Sequence, residues 1–275
     1  MNNLQTQINQ LFDEQLTEWS LAAEKYESLR SVRIKTFDFD NFSVRVHYNP
    51  ARAVSSFAKL DKANIAARPC FLCRANRPPE QRGIPFKERY EILVNPYPIC
   101  QRHFTVASLA HEPQILGDCL PDMLDLAKAL PDFVILYNGA QAGASAPDHF
   151  HFQAVNADFF HMPVDTEMQG LTTKRVLISA DKNQLLKDFS ELYHELQTDE
   201  KEPKMNLFCQ WRAGEFVLTV FPRRQHRPRQ FFAEGAEKIM LSPGSIDMTG
   251  NLIVAREEDF EKITKDDITD IFSQL

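Results

Sequence analysis

An α+β fold, an antiparallel sheet with its helices segregated from the strands, is what this chain of 275 residues predicts. Three observations carry that expectation. Short apolar runs with period-two alternation recur through the middle of the chain. Apolar positions at helical spacing gather near both ends and in two internal segments. The tripeptide Arg212-Ala213-Gly214 separates two strand-like runs by a hairpin signal.

From Gln5 to Leu29 the residues Ile8, Leu11, Phe12, Leu16, Trp19, Ala23 and Tyr26 follow helical spacing, so this stretch predicts an amphipathic helix packed on the body. Val32 to Tyr48 alternates and ends at the turn signal Asn49-Pro50, which predicts strands. Ala63 to Arg89 is rich in Pro, Arg and Asn and predicts a loop held by something other than a core. Tyr90 to Val94 and His103 to Ser108 read as strands, with a turn at Asn95 to Gln101. Pro121 to Leu130 has helical spacing, and Val134 to Tyr137 is strand-like. Asn138 to Pro147 is small and Gly-containing, a loop able to approach a ligand closely. A strand follows at Asp148 to Gln153. Lys182 to Leu196 predicts a helix, Leu207 to Trp211 and Glu215 to Phe221 a hairpin, and Glu257 to Leu275 a helical terminal region. No internal repeat is evident.

Composition narrows the classes. Hydrophobic residues make up 43% and charged residues 25%, the balance of a soluble globular protein. No apolar run approaches the ~20 residues of a membrane helix. The N-terminal segment lacks the apolar core of a signal peptide, so a cytoplasmic location is expected. A net charge of −7 disfavours nonspecific nucleic-acid binding. The cysteine count is odd, which argues against a disulfide framework, and Cys100, Cys119 and Cys209 sit among apolar neighbours as buried thiols.

The stretch Asp148-His149-Phe150-His151-Phe152-Gln153 is the most specific feature. On a strand His149, His151 and Gln153 share one face and the two phenylalanines the other. Polar groups suited to a metal or a phosphate thus stand in a row on an apolar anchor. A neutral imidazole is a good nucleophile at phosphorus near neutral pH, provided its far nitrogen is hydrogen-bonded. His151 is the candidate nucleophile, and Gln153 can donate an amide N–H to a phosphoryl oxygen. The Asn138 loop, with Gly143 and Ser145, can offer backbone and amide donors. Arg52 and Lys59, with Ser55 and Ser56, can supply charge and donors. For these basic residues a solvated surface is the alternative. His103 either faces the site from a neighbouring strand or is a satisfied core histidine.

Cys70-Phe71-Leu72-Cys73 supplies two soft ligands, and zinc needs four. His149 and His111 are the first candidates to complete a Cys2His2 site, which would staple the loop to the sheet as a structural zinc centre. The alternative is a buried or redox pair. The redox role is the weaker, because the thioredoxin-like βαβ context is missing.

These residues resemble the histidine-triad superfamily, in its transferase and phosphorylase branch, which carries His-x-His-x-Gln. The run from Tyr137 to Val155, followed by His161-Met162-Pro163-Val164, is similar to GDP-L-galactose and GDP-hexose phosphorylases. So is Ser242-Pro243 through Phe260. Asn49-Pro50 through Cys73 resembles galactose-1-phosphate uridylyltransferases, and Pro98 to Gln114 is similar to diadenosine tetraphosphate phosphorylases. The resemblance spans about Asn49 to Phe260. It implies a histidine-triad-like sheet in two related halves: residues 1–170 with the motif and the N-terminal helix, and 171–275 without the motif. It implies zinc on Cys70, Cys73, His111 and His149. It further implies nucleotidyl transfer from a nucleoside diphosphate sugar or dinucleotide, through a nucleotidyl-His151 intermediate steadied by Gln153, to phosphate or a sugar phosphate. A homodimer is a further expectation, since related enzymes are often dimers. Two alternatives stand beside this reading: a hydrolase of nucleotide conjugates, disfavoured by Gln153, and a noncatalytic, zinc-stapled nucleotide-binding protein.

Overall fold

The structure, a computed structural model, describes residues 3–53 and 61–275. Lys59, Ser55 and Ser56 therefore lie outside the described residues. Eight strands form one sheet in the order β3-β4-β5-β7-β6-β9-β10-β8. These are β3 (Gly83–Phe86), β4 (Tyr90–Val94), β5 (His103–Ser108), β6 (Phe133–Asn138), β7 (His151–Asn156), β8 (Arg175–Ser179), β9 (Met205–Arg212) and β10 (Glu215–Pro222). Every pairing in it is antiparallel, as the alternating runs and the hairpin at Ala213-Gly214 predict. A second sheet joins β1 (Arg33–Asp38), β2 (Ser43–Tyr48) and β11 (Asn251–Val254), with β2 and β11 parallel.

The large sheet separates two cores. On one face the helices Leu4–Glu18, Leu120–Ala129 and Lys182–Leu196 pack on Phe104, Ile135, Phe150, Phe152, Leu207 and Leu218. The other face carries Leu136, Val155 and Phe208, covered by the small sheet and the C-terminal helices Glu257–Lys262 and Lys265–Gln274. The segment from Phe150 through β7 divides accordingly: Phe150 and Phe152 enter the first core, and Val155 the second. Phe150 and Phe152 meet edge to face with ring centroids 4.9 Å apart, which locks the back of the strand. No described helix is long and apolar enough to cross a membrane.

Three expectations are corrected. The N-terminal helix is two, Leu4–Glu18 and Ser20–Glu27, because Trp19 leaves helical geometry at φ −114°, ψ 96°. The break aims the second helix so that the Tyr26 hydroxyl donates to the His103 carbonyl at 2.9 Å. The segment predicted as loop from 63 to 89 holds all but the first residue of the helix Lys62–Ala67, and strand β3. Pro85 argues against a central strand, but β3 is an edge strand, where proline is tolerated. Finally, β7 begins at His151 rather than Asp148. The buried side chain of Gln114 enters there, accepting the His151 backbone N–H at 2.8 Å and donating to the carbonyls of His151 and Asn138 at 3.0 and 2.9 Å. His149 thus stands on the turn before the strand.

Candidate active site

His151 is 4% exposed. Its Nδ1 lies 2.9 Å from the His149 carbonyl, to which it donates. A neutral imidazole carries one N–H, so Nε2 keeps its lone pair. Burial lowers the pKa of this ring to about 4, partly offset by that hydrogen bond. The ring lines a cavity of about 330 Å³ together with Gln153, Thr105, Asn95, Arg52 and Ser145, and with the apolar side chains Trp19, Leu21, Phe71, Leu72 and Tyr97. Trp19 arrives from the break between the N-terminal helices, and Phe71 and Leu72 from the cysteine loop.

A second, polar cavity of about 70 Å³ adjoins the first, sharing Arg52, Ser145 and Gln153. Asn138, Gly143, His226, Arg227, Ser242 and Asp247 are among its walls. Gln153 therefore stands where the cavities meet. Arg52 binds the Tyr97 carbonyl, and burial lowers its pKa to about 10, a guanidinium still charged at neutral pH. Asn138 Oδ1 accepts from Ser245 N at 2.6 Å and Asn206 Nδ2 at 2.9 Å. Gly143 contributes backbone shape: at φ +96° a Cβ there would lie 2.4 Å from Gly244 Cα. Two loops thus meet backbone to backbone. Asp247 organises the second of them, accepting from Gly244 N and Ile253 N, both at 2.9 Å.

Of the residues predicted for the site, the structure gathers His151, Gln153, Asn138, Gly143, Ser145 and Arg52 around the two cavities. His103 lines neither; it is fully buried behind Gln153, 2.6 Å from its Oε1. Sequence reasoning gave no site role to Trp19, Asn95, Tyr97, Arg227 and Ser242; Ser242 opens the Ser242-Pro243 through Phe260 resemblance, while the other four come from distant elements with no motif of their own. It also missed Gln114. That residue sits within the Pro98 to Gln114 resemblance, the one signal that pointed near it.

A separate cluster gathers Cys70, Cys73, His111 and His149, their donor atoms all within 4.8 Å of one another. His149 Nδ1 is 3.3 Å from Cys70 Sγ, 3.6 Å from Cys73 Sγ and 3.3 Å from His111 Nδ1. Cys73 Sγ is 3.3 Å from His111 Nδ1. Tetrahedral zinc would place such N and S atoms about 3.3–3.8 Å apart. The far nitrogen of His149 donates to the Ser108 carbonyl at 2.8 Å, which aims Nδ1 at the cluster, as the outer partner of a ligating histidine does. The donor set and its spacing fit a four-coordinate metal.

Solved structures with this α+β fold include the yeast Ap4A phosphorylase Apa2. Its complex with Ap4A superposes with a TM-score of 0.63 at 15% identity, over 92% of this chain and 95% of that one. A second structure of Apa2 matches with a TM-score of 0.59 at 16% identity, over 93% and 95% of the two chains. Its AMP complex matches at 0.55 and 15%, over 94% of each chain. No curated protein matches the sequence. The chain belongs to the family described as Domain of unknown function (DUF4922), whose model matches residues 11–156.

Proposed function

We propose that this protein is a nucleotidyltransferase working through a covalent nucleotidyl-histidine on His151. The observation that carries the reading is the set imidazole: Nδ1 tied to the His149 carbonyl, Nε2 unprotonated, and a cavity before the ring. Nε2 attacks the α-phosphorus of a nucleoside diphosphate sugar, GDP-hexose among them, or of a dinucleoside polyphosphate. An N–P bond forms as the bond to the bridging oxygen breaks, and the leaving phosphate takes the electron pair. The acceptor, inorganic phosphate or a sugar phosphate, then attacks the same phosphorus and frees the imidazole. The amide of Gln153 and the charge of Arg52 face the phosphoryl oxygens, where developing charge needs donors. The larger cavity, with Trp19, Phe71 and Tyr97, suits a nucleobase. The smaller polar cavity suits a phosphate. The fold shared with a protein that binds Ap4A and AMP supports a nucleotide substrate.

Cys70, Cys73, His111 and His149 would hold a structural zinc ion. Four protein ligands close its shell, leaving no position for substrate. Its contribution would be to hold the loop bearing Phe71 and Leu72 against the turn that precedes His151.

The test is incubation with radiolabelled GDP-, ADP- and UDP-sugars and dinucleotides, with and without phosphate. Phosphate-dependent release is expected, together with an acid-labile, alkali-stable adduct on His151. His151→Ala should lower turnover by about 10³-fold or more and lose the adduct. Release indifferent to phosphate would make the protein a hydrolase, and binding without turnover a nucleotide-binding protein. An adduct trapped on another residue would remove His151 from the chemistry.

A further inference from the structure

Gln153 can present either end of its carboxamide to a phosphoryl group, and the two ends have opposite effects: the NH2 stabilises negative charge and the carbonyl repels it. The choice is made one layer back. His103 Nδ1 lies 3.3 Å from the backbone N of Ile99. A backbone N–H can only donate, so Nδ1 is the acceptor and the proton of the neutral ring sits on Nε2. Nε2 in turn lies 2.6 Å from the Gln153 side chain. A protonated nitrogen donates, and the Gln153 atom facing it is the oxygen. The nearby Asn95 amide, with its nitrogen 3.5 Å from His103 Nε2, does not compete for that proton, because it is itself a donor and is used by Thr105 Oγ1 at 3.1 Å. The carboxamide oxygen of Gln153 is thereby consumed, and its NH2 is left for the junction of the two cavities.

We propose that His103 is a positioning residue, which passes the direction of one backbone N–H through its ring to make Gln153 a donor toward the transferring phosphoryl group. This rests on the nucleotidyl-transfer reading. His103 itself touches neither cavity. Its ring is fully buried, and the second shared contact of its strand, the Tyr26 hydroxyl on its carbonyl at 2.9 Å, holds the backbone that carries it.

Two measurements on the full chain test it. In the ¹⁵N-labelled protein, long-range ¹H–¹⁵N spectra should find His103 protonated on Nε2 and not on Nδ1 at neutral pH. An Nδ1–H tautomer, or a charged ring, overturns the proposal whatever the activity. In kinetics, His103→Leu should lower kcat on the order of 10²-fold with KM little changed, the scale of losing one aligned donor. His103→Gln, whose amide nitrogen can replace Nε2, should recover most of that loss, and serves as the reading if His103→Leu fails to fold. The double variant His103→Leu with Gln153→Leu should be no slower than Gln153→Leu alone, because the two residues act through one contact. Multiplying penalties, or no gain from His103→Gln over His103→Leu, would mean that His103 only fills space. If the wild-type protein transfers nothing, the parent reading fails and the phosphoryl role falls with it; the tautomer spectrum separates that failure from a wrong assignment of His103.

Discussion

The carboxylate of Asp247 shows how single residues in this site are held against their solution preferences. Burial raises its pKa to about 6, against backbone hydrogen bonds from Ile253 and Gly244 and the charge of Arg223, which lower it. A carboxyl whose folded pKa is raised favours the fold below its unfolded value near 4, and that contribution is lost as pH rises through about 6. At neutral pH the buried charge therefore costs on the order of 3 kcal/mol relative to acid. Asp247→Asn removes the titration, so its stability gap from wild type should narrow as pH rises from 4.5 to 7. Urea titrations at the two pH values measure it, and a gap that widens would contradict the assignment. Asp247 was invisible in the sequence as a structural residue, because its partners are backbone N–H groups of a loop that forms only on folding. His151 was legible, because alternation with Phe150 and Phe152 is a local property that survives into the strand. His103 was half legible: its type was informative, but whether it touched substrate or stood behind Gln153 depended on the cross-strand register, which pairs His103 with Val155 and Thr105 with Gln153.

At the scale of elements, loops close the site around the strand residues His151 and Gln153, and two glycines separate the kinds of loop. Gly143 has φ +96° and no room for a Cβ, with Gly244 Cα 2.4 Å and the Pro243 carbonyl 2.8 Å from where it would lie. Gly214, in the β9–β10 hairpin, has φ +87° and nothing within 4 Å of an added Cβ. Gly214→Ala therefore meets backbone strain alone, about 1 kcal/mol, with transfer activity unchanged. Gly143→Ala adds a clash that must part the 139–147 and 242–245 loops, so it should cost more than 2 kcal/mol and raise substrate KM about tenfold or more. Thermal unfolding and steady-state kinetics on the pair check this. Equal effects would show that the loop contact does not shape the cavity. The hairpin and the glycine loop were both readable from turn chemistry. The partner of the glycine loop was not, because residues 143 and 244 are a hundred positions apart and meet only through the fold. The short edge strand β3 was hidden by Pro85, and the N-terminal helix break by an unbroken helical period through Trp19.

Across the whole molecule, the cysteine loop is a wall of the larger cavity that stands outside the two main cores. Its buried core contribution is small: Cys70 and Leu72 with Leu93, Ala107 and Ala146. It is also held by the ion pairs Arg68 to Asp148 at 2.5 Å and Arg77 to Glu91 at 2.6 Å, by the Asn76 amide on the Cys70 carbonyl at 2.9 Å, and by the cluster of Cys70, Cys73, His111 and His149. The cluster spans the loop, the segment after β5 and the turn before β7, so a zinc ion there would join three parts of the chain at once. A metal that binds the folded state stabilises it by mass action, and its removal withdraws that free energy from the fold. Treatment with a strong chelator should therefore release about one zinc per chain and lower the melting temperature by several degrees, on the scale of about 2–4 °C per kcal/mol for a chain of this size. Because Phe71 and Leu72 line the cavity while the Gln153 side of the site is held by the sheet, loss of the metal should raise the nucleotide KM more than it lowers kcat. His149→Ala should release the metal and leave little soluble protein, since the same residue ends the turn that aims His151. Cys73→Ser, at the more exposed end of the cluster, should keep the protein soluble with weakened zinc. Full zinc content in His149→Ala would exclude His149 as a ligand, whereas a protein that releases no zinc to the chelator and keeps its melting temperature and KM would show that the four side chains pack together without a metal and that the wall of the cavity stands by itself.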